Sequence, residues 1–264
     1  MRARTVVIVP GLGSTPGEWD DVVDALSAEV AVLVVDPADA PPLRTRTDWT
    51  PQAVAARLAE RLIGTARPVL LVGHSSGGLH VQAALYAGDG HADAGIAGAL
   101  LVDASHESAV RLAPAALGAV GRAVADVVLA TGISTLLGPA VRRLGVRAAS
   151  TRRRDRLTPA AVRTVYSSRA WVRTTVDAWF GHGPLQAGVL AWQRERGAPT
   201  PPVRLLVGAA GSGRGRARWI ATQRDLAARL GAPEPRLLDD AGHLVALDRP
   251  DAVVTEVRAL LADS

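Results

Sequence analysis

Residues 70–80 read LLVGHSSGGLH. An apolar run typical of a buried strand ends in two serines set among glycines, and a helix-forming stretch follows. Gly73 to Gly77 fits G-x-S-x-G, a pattern that places a serine on a sharp strand-to-helix turn and lifts its hydroxyl above the sheet. The positive end of the following helix lies beside it. The pattern predicts Ser75 as a nucleophile and the backbone N–H of Ser76 as a donor to an oxyanion; a plain glycine-rich turn is the alternative.

Apolar runs alternate with longer Ala/Leu-rich stretches along most of the chain. The runs are continuous rather than alternating, as expected of strands buried on both faces of a parallel sheet. Strands are predicted at 4–9, 30–35, 68–73, 98–103, 203–208 and 235–239. Helices are predicted at 18–28, 50–63, 77–87, 215–230 and 251–262. The order predicts an α/β fold with a doubly wound, mostly parallel sheet.

One long interval lacks any strand-like run and is rich in arginine. We interpret residues 108–184 as a helical cap inserted over the carboxyl edge of the sheet, between core parts at 1–107 and 185–264. The uncharged stretch 127–141 is too short to span a bilayer and contains Gly and Pro, so we expect a packed cap helix and no stable membrane insertion.

Two further loops supply groups that a serine nucleophile needs. Residues 10–13 (PGLG) follow the first strand, and this small-residue loop is predicted to turn the backbone N–H of Leu12 toward the serine as a second oxyanion donor. The loop lacks the third glycine and the lysine of phosphate-binding loops. His243 follows the last strand, where it is placed to reach Ser75 as a general base.

These motifs together resemble the α/β-hydrolase superfamily over nearly the whole chain. The matching segments are PGLG at 10–13, GHSSGG at 73–78, DASHE at 103–107 and AGHLVALDRP at 241–250. The resemblance implies the family's core fold and its Ser…acid…His chain order. Because the chain begins at the family's third strand, we expect the leading antiparallel hairpin to be absent. Pro10 stands where the family usually has a histidine.

The acid departs from the commoner family pattern. The family most often places it after the penultimate strand, but residues 208–219 contain no carboxylate. Asp103 ends the preceding strand, a position that the resemblance to some haloalkane dehalogenases allows, and we expect it to orient His243. Glu107 is the reserve candidate. Asp36 is disfavoured because its strand is expected on the far side of the turn that carries Ser75.

These residues predict a serine hydrolase that cleaves carboxylic esters or lactones with apolar acyl groups, without a cofactor. Acyl transfer in a thioesterase or lactonising enzyme, cofactor-free lyase or cyclase chemistry, and a hydrolase-like ligand receptor remain open alternatives. We expect His74 and His80 to pack and His106 to be a possible substrate contact. The pocket is expected to be lined by cap side chains, among them Leu112, Leu117, Trp171, Trp179 and Phe180.

Composition limits the class of protein. The chain has no cysteine, and its six histidines lack metal-ligand spacing, so no metal site is predicted. Residues 142–173 hold ten arginines and one acid, Asp155, whereas the net charge of the whole chain is only +5. This uneven charge disfavours a nucleic-acid binder and indicates a solvated basic face, with attraction of anionic substrates or a membrane surface as the alternative. The apolar start is too short for a signal peptide, which favours a cytoplasmic protein.

Overall fold

The chain forms one parallel sheet with helices on both faces. A computed structural model describes residues 3–39, 45–88, 95–106 and 115–263. The strands in these ranges are β1 (Thr5–Val9), β2 (Ala31–Val34), β3 (Val69–His74), β4 (Ile96–Val102), β5 (Val203–Gly208) and β6 (Arg236–Leu238). Their order is β2-β1-β3-β4-β5-β6, and every neighbouring pair is parallel. The predicted doubly wound α/β fold is confirmed, and each strand lies within two residues of its predicted position.

Ten helices occur in the described part of the chain. They are α1 (Asp20–Leu26), α2 (Pro51–Arg61), α3 (Gly77–Gly88), α4 (Ala115–Ala130), α5 (Ile133–Ala149), α6 (Pro159–Tyr166), α7 (Arg169–Arg196), α8 (Arg214–Arg229), α9 (Val245–Asp248) and α10 (Pro250–Asp263). Short 3-10 helices lie at Pro16–Trp19, Pro37–Asp39 and Arg46–Trp49. Helix α2 begins with Pro51 after Thr50, whose side chain accepts a hydrogen bond from the backbone of Ala53 and so caps the helix.

Both faces of the sheet are buried, which explains the continuous apolar runs. Successive residues of β1 alternate between the two layers: Val6 and Ile8 pack with side chains of α1 and α10. Val7 and Val9 pack on the opposite face with side chains of α2, α3 and α8. A strand between two helical layers needs apolar residues at every position, not at every second one.

Helices α4 to α7 lie between β4 and β5, in the interval where an inserted helical cap is predicted. The uncharged stretch 127–141 is not one helix, because Gly132 adopts a left-handed φ of 72° and separates α4 from α5. Helix α7 runs from Arg169 through Arg196, so the predicted boundary between residues 184 and 185 falls inside one helix. None of the helices built from described residues is both long enough and apolar enough to cross a bilayer.

The strand order fixes where a ligand site can form. The chain leaves β1 for the edge strand β2 and returns to β3 on the other side of β1. The loops that follow β1 and β3 therefore diverge at the carboxyl edge, and in open α/β sheets ligands bind at such a point. Asp36, which follows β2, lies beyond β1 from the turn that carries Ser75, as expected.

Candidate active site

The turn after β3 has the strained geometry that its sequence predicts. Ser75 adopts a φ of 50°, a left-handed conformation that is uncommon for any residue except glycine. A Cβ atom at Gly73 would lie 2.8 Å from the Cα of Gly78 and 2.8 Å from Val81, and one at Gly77 would meet the carbonyl oxygens of β1 and Pro10. The glycines let strand and helix approach closely enough to hold Ser75 at the sheet edge.

The structure brings together Ser75, His243 and Asp103. The Ser75 hydroxyl lies 3.0 Å from Nε2 of His243, and Nδ1 of His243 lies 2.6 Å from Oδ2 of Asp103. Because the carboxylate accepts the Nδ1–H, Nε2 carries the lone pair that faces the serine. Three residues separated by up to 168 positions in sequence therefore form one continuous hydrogen-bonded line.

Asp103 is held by more than the histidine. Its side chain is buried, with 1% of its surface exposed, and its second oxygen accepts hydrogen bonds from the backbone N–H of Gly208 at 3.1 Å and the indole N–H of Trp219 at 2.9 Å. These donors stabilise a buried carboxylate and fix its orientation. Trp219 was not predicted as part of the site. It lies in the second turn of α8, and no pattern in the sequence marks it as a partner of Asp103.

The loop that carries His243 is attached to the helical insertion. Asp248 of α9 is buried and accepts hydrogen bonds from the backbone N–H groups of Gly242 at 2.7 Å and Thr151 at 3.0 Å. Thr151 follows α5, and the backbone N–H of Leu244 also donates to the carbonyl of Ala149 at the end of that helix, at 3.0 Å. The position of His243 therefore depends on contacts with the insertion.

His74 packs directly under His243. The ring centroids of the two residues lie 4.9 Å apart, and Nε2 of His74 donates to the backbone carbonyl of His243 at 2.9 Å. Burial, with a smaller contribution from the neighbouring His243, lowers the pKa of His74 to about 4. The residue was expected only to pack; it is buried, and it also holds the backbone of the histidine loop.

The two residues predicted to supply the oxyanion donors, Leu12 and Ser76, line one cavity. The backbone N–H groups of Leu12 and Ser76 donate to no acceptor within the described ranges, and both residues line the cavity beside Ser75. The loop around Leu12 is closed by a hydrogen bond from the Ser14 N–H to the Gly11 carbonyl at 3.1 Å. The indole N–H of Trp171, on α7, donates to the Gly13 carbonyl at 3.2 Å. These two N–H groups, one in the loop after β1 and one in the turn after β3, suit a developing negative charge.

A buried ionic cluster joins this loop to the insertion. Glu18 accepts hydrogen bonds from Arg142 of α5 at 2.7 Å, from Tyr166 of α6 at 3.1 Å and from the backbone of Thr15 at 3.2 Å. Arg142 also binds both oxygens of Asp155, at 2.7 and 2.9 Å. Burial raises the pKa of Glu18, and Arg142 opposes that shift. Arg142 is the one buried arginine of the mostly solvated basic face that was expected of residues 142–173.

The other nine arginines of the 142–173 segment are exposed. Arg156 pairs with Asp21 at 2.8 Å and Arg173 with Asp126 at 3.3 Å, and all four side chains are more than 40% exposed. Exposed pairs of this kind contribute little to stability.

A cavity of about 150 Å³ opens beside the oxyanion donors. It is lined by the loop 9–14, by residues 35–38 after β2, and by parts of α2, α3 and α7. Of the predicted pocket residues, Trp171 lines it. Trp179 and Phe180 do not: 67% of Trp179 is exposed, and Phe180 packs against Gly121 of α4. Both point away because α7 presents a different face to the cavity.

The remaining predicted residues lie elsewhere. His106 is buried, lies 2.9 Å from Asp225 of α8 and does not line this cavity. His80 lines the cavity and is only partly buried, which corrects the expectation that it serves packing alone. Glu107 and Leu112 lie outside the described residues, as does the side chain of Leu117. The described residues contain no cluster of three metal-ligating side chains.

Comparison with known proteins places this geometry in a family. The sequence model described as the alpha/beta hydrolase family matches residues 6–256. No curated protein matches the sequence. Many solved structures share the fold. A thermophilic esterase from Thermogutta terrifontis is 20% identical, with a TM-score of 0.65 over 99% of this chain and 90% of the other.

Two further structures show how much chemistry this fold carries. The epoxide hydrolase CorEH is 18% identical, with a TM-score of 0.63 over 99% of this chain and 92% of its own. The thioesterase domain of the curacin biosynthetic pathway is 14% identical, with a TM-score of 0.63 over 97% and 91%. At these identities the likeness establishes the fold and leaves the reaction to the site. Because the family model matches nearly the whole chain, the protein is an enzyme of the α/β hydrolase family.

Proposed function

We propose that this protein is a serine hydrolase that cleaves carboxylic esters through an acyl-enzyme on Ser75. The observation that carries the proposal is the line from Ser75 through His243 to Asp103, with distances of 3.0 and 2.6 Å, at the carboxyl edge of the sheet. A nucleophile within hydrogen-bond reach of a base, itself oriented by a third group, is the arrangement that activates a serine.

Each step uses a group that lies in place. The Ser75 hydroxyl attacks the ester carbonyl while Nε2 of His243 takes its proton, and Asp103 stabilises the imidazolium that forms. His243 then returns the proton to the leaving alkoxide, and water repeats the sequence to release the acid. The N–H groups of Leu12 and Ser76 donate to the oxyanion in both tetrahedral intermediates.

Serine at position 75 favours esters over epoxides. Hydrolases of this fold that open epoxides or remove halides use a carboxylate nucleophile, and the hydroxyl of Ser75 supplies instead the oxygen of an acyl-enzyme. The proposed substrates are small molecules, and the proposed chemistry requires no cofactor.

Kinetics on p-nitrophenyl butyrate test this proposal. Ser75→Ala should lower kcat at least ~10³-fold, because only binding and the oxyanion donors remain. Ser76→Ala is the matched control: it removes a neighbouring hydroxyl but keeps the backbone N–H, so its kcat should stay within about tenfold of wild type. Near-normal turnover by Ser75→Ala, or an equal loss in Ser76→Ala alone, contradicts the assignment.

A further inference from the structure

Polar side chains line part of the cavity beside the oxyanion donors. Arg57 of α2 and His80 of α3 both line it, together with Trp171 and Thr174 of α7. A cavity of about 150 Å³ matches the space that one benzene molecule, six carbon atoms, fills in another protein. The acid part of a small ester therefore fits here, with its far end against Arg57 and His80.

The spacing along α3 sets the length of that acid part. Ser76 immediately precedes α3, His80 lies four residues further on in its first turn, and both line the cavity, so roughly 5.4 Å, about one helical turn, separates them along the helix axis. An extended chain advances roughly 1.2 Å per bond, as the backbone does over three bonds per residue. A group about four bonds from the reacting carbonyl consequently lies beside His80.

Both polar side chains retain hydrogen-bonding capacity. The Arg57 guanidinium donates to the backbone carbonyl of Asp48, and within the described ranges no carboxylate lies at ion-pair distance from it. His80 contacts the ring of Trp49, with centroids 6.1 Å apart, and no described residue hydrogen-bonds to its nitrogens. Burial, with the nearby charge of Arg57, lowers the pKa of His80 to about 4, so the ring is neutral at pH 7 and carries one donor and one acceptor.

The charges around the cavity do not favour an anion. Asp36, Glu60 and Asp177 line it as well as Arg57 and Arg61, which gives three carboxylates against two guanidinium groups. A carboxylate at the far end would meet repulsion from these acids, whereas a neutral oxygen accepts a hydrogen bond from Arg57 without that cost. A plain alkyl chain would offer no acceptor to the guanidinium N–H groups that do not bind the Asp48 carbonyl.

We propose that this enzyme prefers esters whose acid part carries a neutral oxygen, as a ketone or hydroxyl, on the carbon about four bonds from the reacting carbonyl carbon. Arg57 and His80 bind that oxygen. The inference rests on the proposed ester hydrolysis and adds the substrate class to it. Arg57 is a specificity-determining residue in this account, since it contacts the substrate far from the reacting atoms.

Three p-nitrophenyl esters of equal length test it. The hexanoate, the 5-oxohexanoate and the monoester of glutaric acid differ only in the group at the fifth carbon. We expect kcat/KM for the 5-oxohexanoate to exceed that for the hexanoate about tenfold or more, because a hydrogen bond to a charged group contributes about 1.5–3 kcal/mol. Arg57→Met should reduce that ratio to about one while hydrolysis of the hexanoate persists. Arg258→Met removes an equal charge from α10, outside the cavity lining, and should leave the ratio unchanged.

Turnover of the hexanoate tests the proposed reaction, whereas the ratio of kcat/KM for the 5-oxohexanoate to that for the hexanoate tests the proposed specificity. The two proposals can therefore fail independently. A wild-type ratio of one or less, or a ratio that survives Arg57→Met, overturns the inference. Preference for the glutarate monoester that disappears at high salt also overturns it and assigns the polar end to an anion. Titration of Ser75→Ala with the methyl esters of the same acids makes the comparison without turnover; equal affinity for methyl 5-oxohexanoate and methyl hexanoate contradicts it.

Discussion

The two parts of the candidate active site are held by different forces. Ser75 ends a strand whose side chains are fully buried in apolar layers on both faces of the sheet. The loops that carry Leu12 and His243 are instead tied to the helical insertion by buried polar groups, Glu18 with Arg142 in one case and Asp248 in the other. The serine is positioned by the core, and its partners are positioned by the contact between core and insertion.

The two kinds of contact should respond differently to substitution. Apolar packing tolerates volume-conserving changes, whereas a buried polar group that loses its partner pays the full desolvation penalty. We therefore expect the Ser75 turn to resist most substitutions, and the arrangement of Leu12 and His243 to depend on a few charged residues.

The largest effect is expected at Asp103, where the two parts meet through His243. Asp103→Asn keeps the shape of the side chain but favours the wrong imidazole tautomer, which should lower kcat by up to ~10⁴-fold with little change in the fold. The matched control is Asp225→Asn, which removes the carboxylate from the other histidine–aspartate pair, His106 and Asp225 at 2.9 Å. Ester hydrolysis measures both variants. Retention of more than about a tenth of kcat by Asp103→Asn would show that another acid serves His243.

A smaller but still severe effect is expected at the ionic cluster. Arg142→Met replaces the cation by an apolar chain of similar length and leaves Glu18 and Asp155 without their shared partner. Breaking a buried pair on one side costs about 3–5 kcal/mol, to be read from the free energy of unfolding in urea. Arg156→Met in the same segment breaks only the exposed pair with Asp21 and should cost less than about 1 kcal/mol. Equal stability of the two variants would mean that the insertion is not held by this cluster.

The pH dependence of stability should report His74, which lies between the two parts. Its pKa is about 4 in the folded protein and near 6.5 when unfolded, so between these values the unfolded chain binds more protons. Stability therefore falls as the pH drops through this window, by roughly 3 kcal/mol from this residue. His74→Gln keeps a donor for the His243 carbonyl but cannot titrate, so the free energy of unfolding should lose less between pH 7 and pH 4.5 than in wild type. An unchanged loss would place the titration at other groups.

The sequence predicted the part of the site that apolar packing controls. Buried strands leave continuous apolar runs, and the glycines around Ser75 are required by close approach of backbone, so both are visible in a short window. Asp103 could be predicted because residues 208–219 contain no carboxylate, and the structure places Asp103 at hydrogen-bond distance from His243.

The polar contacts could not be predicted in the same way. Glu18 and Arg142 are 124 residues apart, and nothing in either segment indicates that one arginine among ten is buried. The prediction that Trp179 and Phe180 line the cavity was wrong for a related reason. Which face of α7 meets the cavity depends on how the whole helix packs, and a short stretch of sequence does not show that. The structure accordingly places Trp171 at the cavity and leaves Trp179 exposed.

Covalent labelling tests directly whether His243 activates Ser75 as the nucleophile. Wild type and His243→Ala are treated with an alkyl fluorophosphonate at pH 7.5, digested and analysed by mass spectrometry. The account predicts one phosphonylated peptide in wild type, modified at Ser75, and labelling at least ~10³-fold slower in His243→Ala, because the general base is gone. Modification at Ser76, or equal labelling rates in the two proteins, would contradict it.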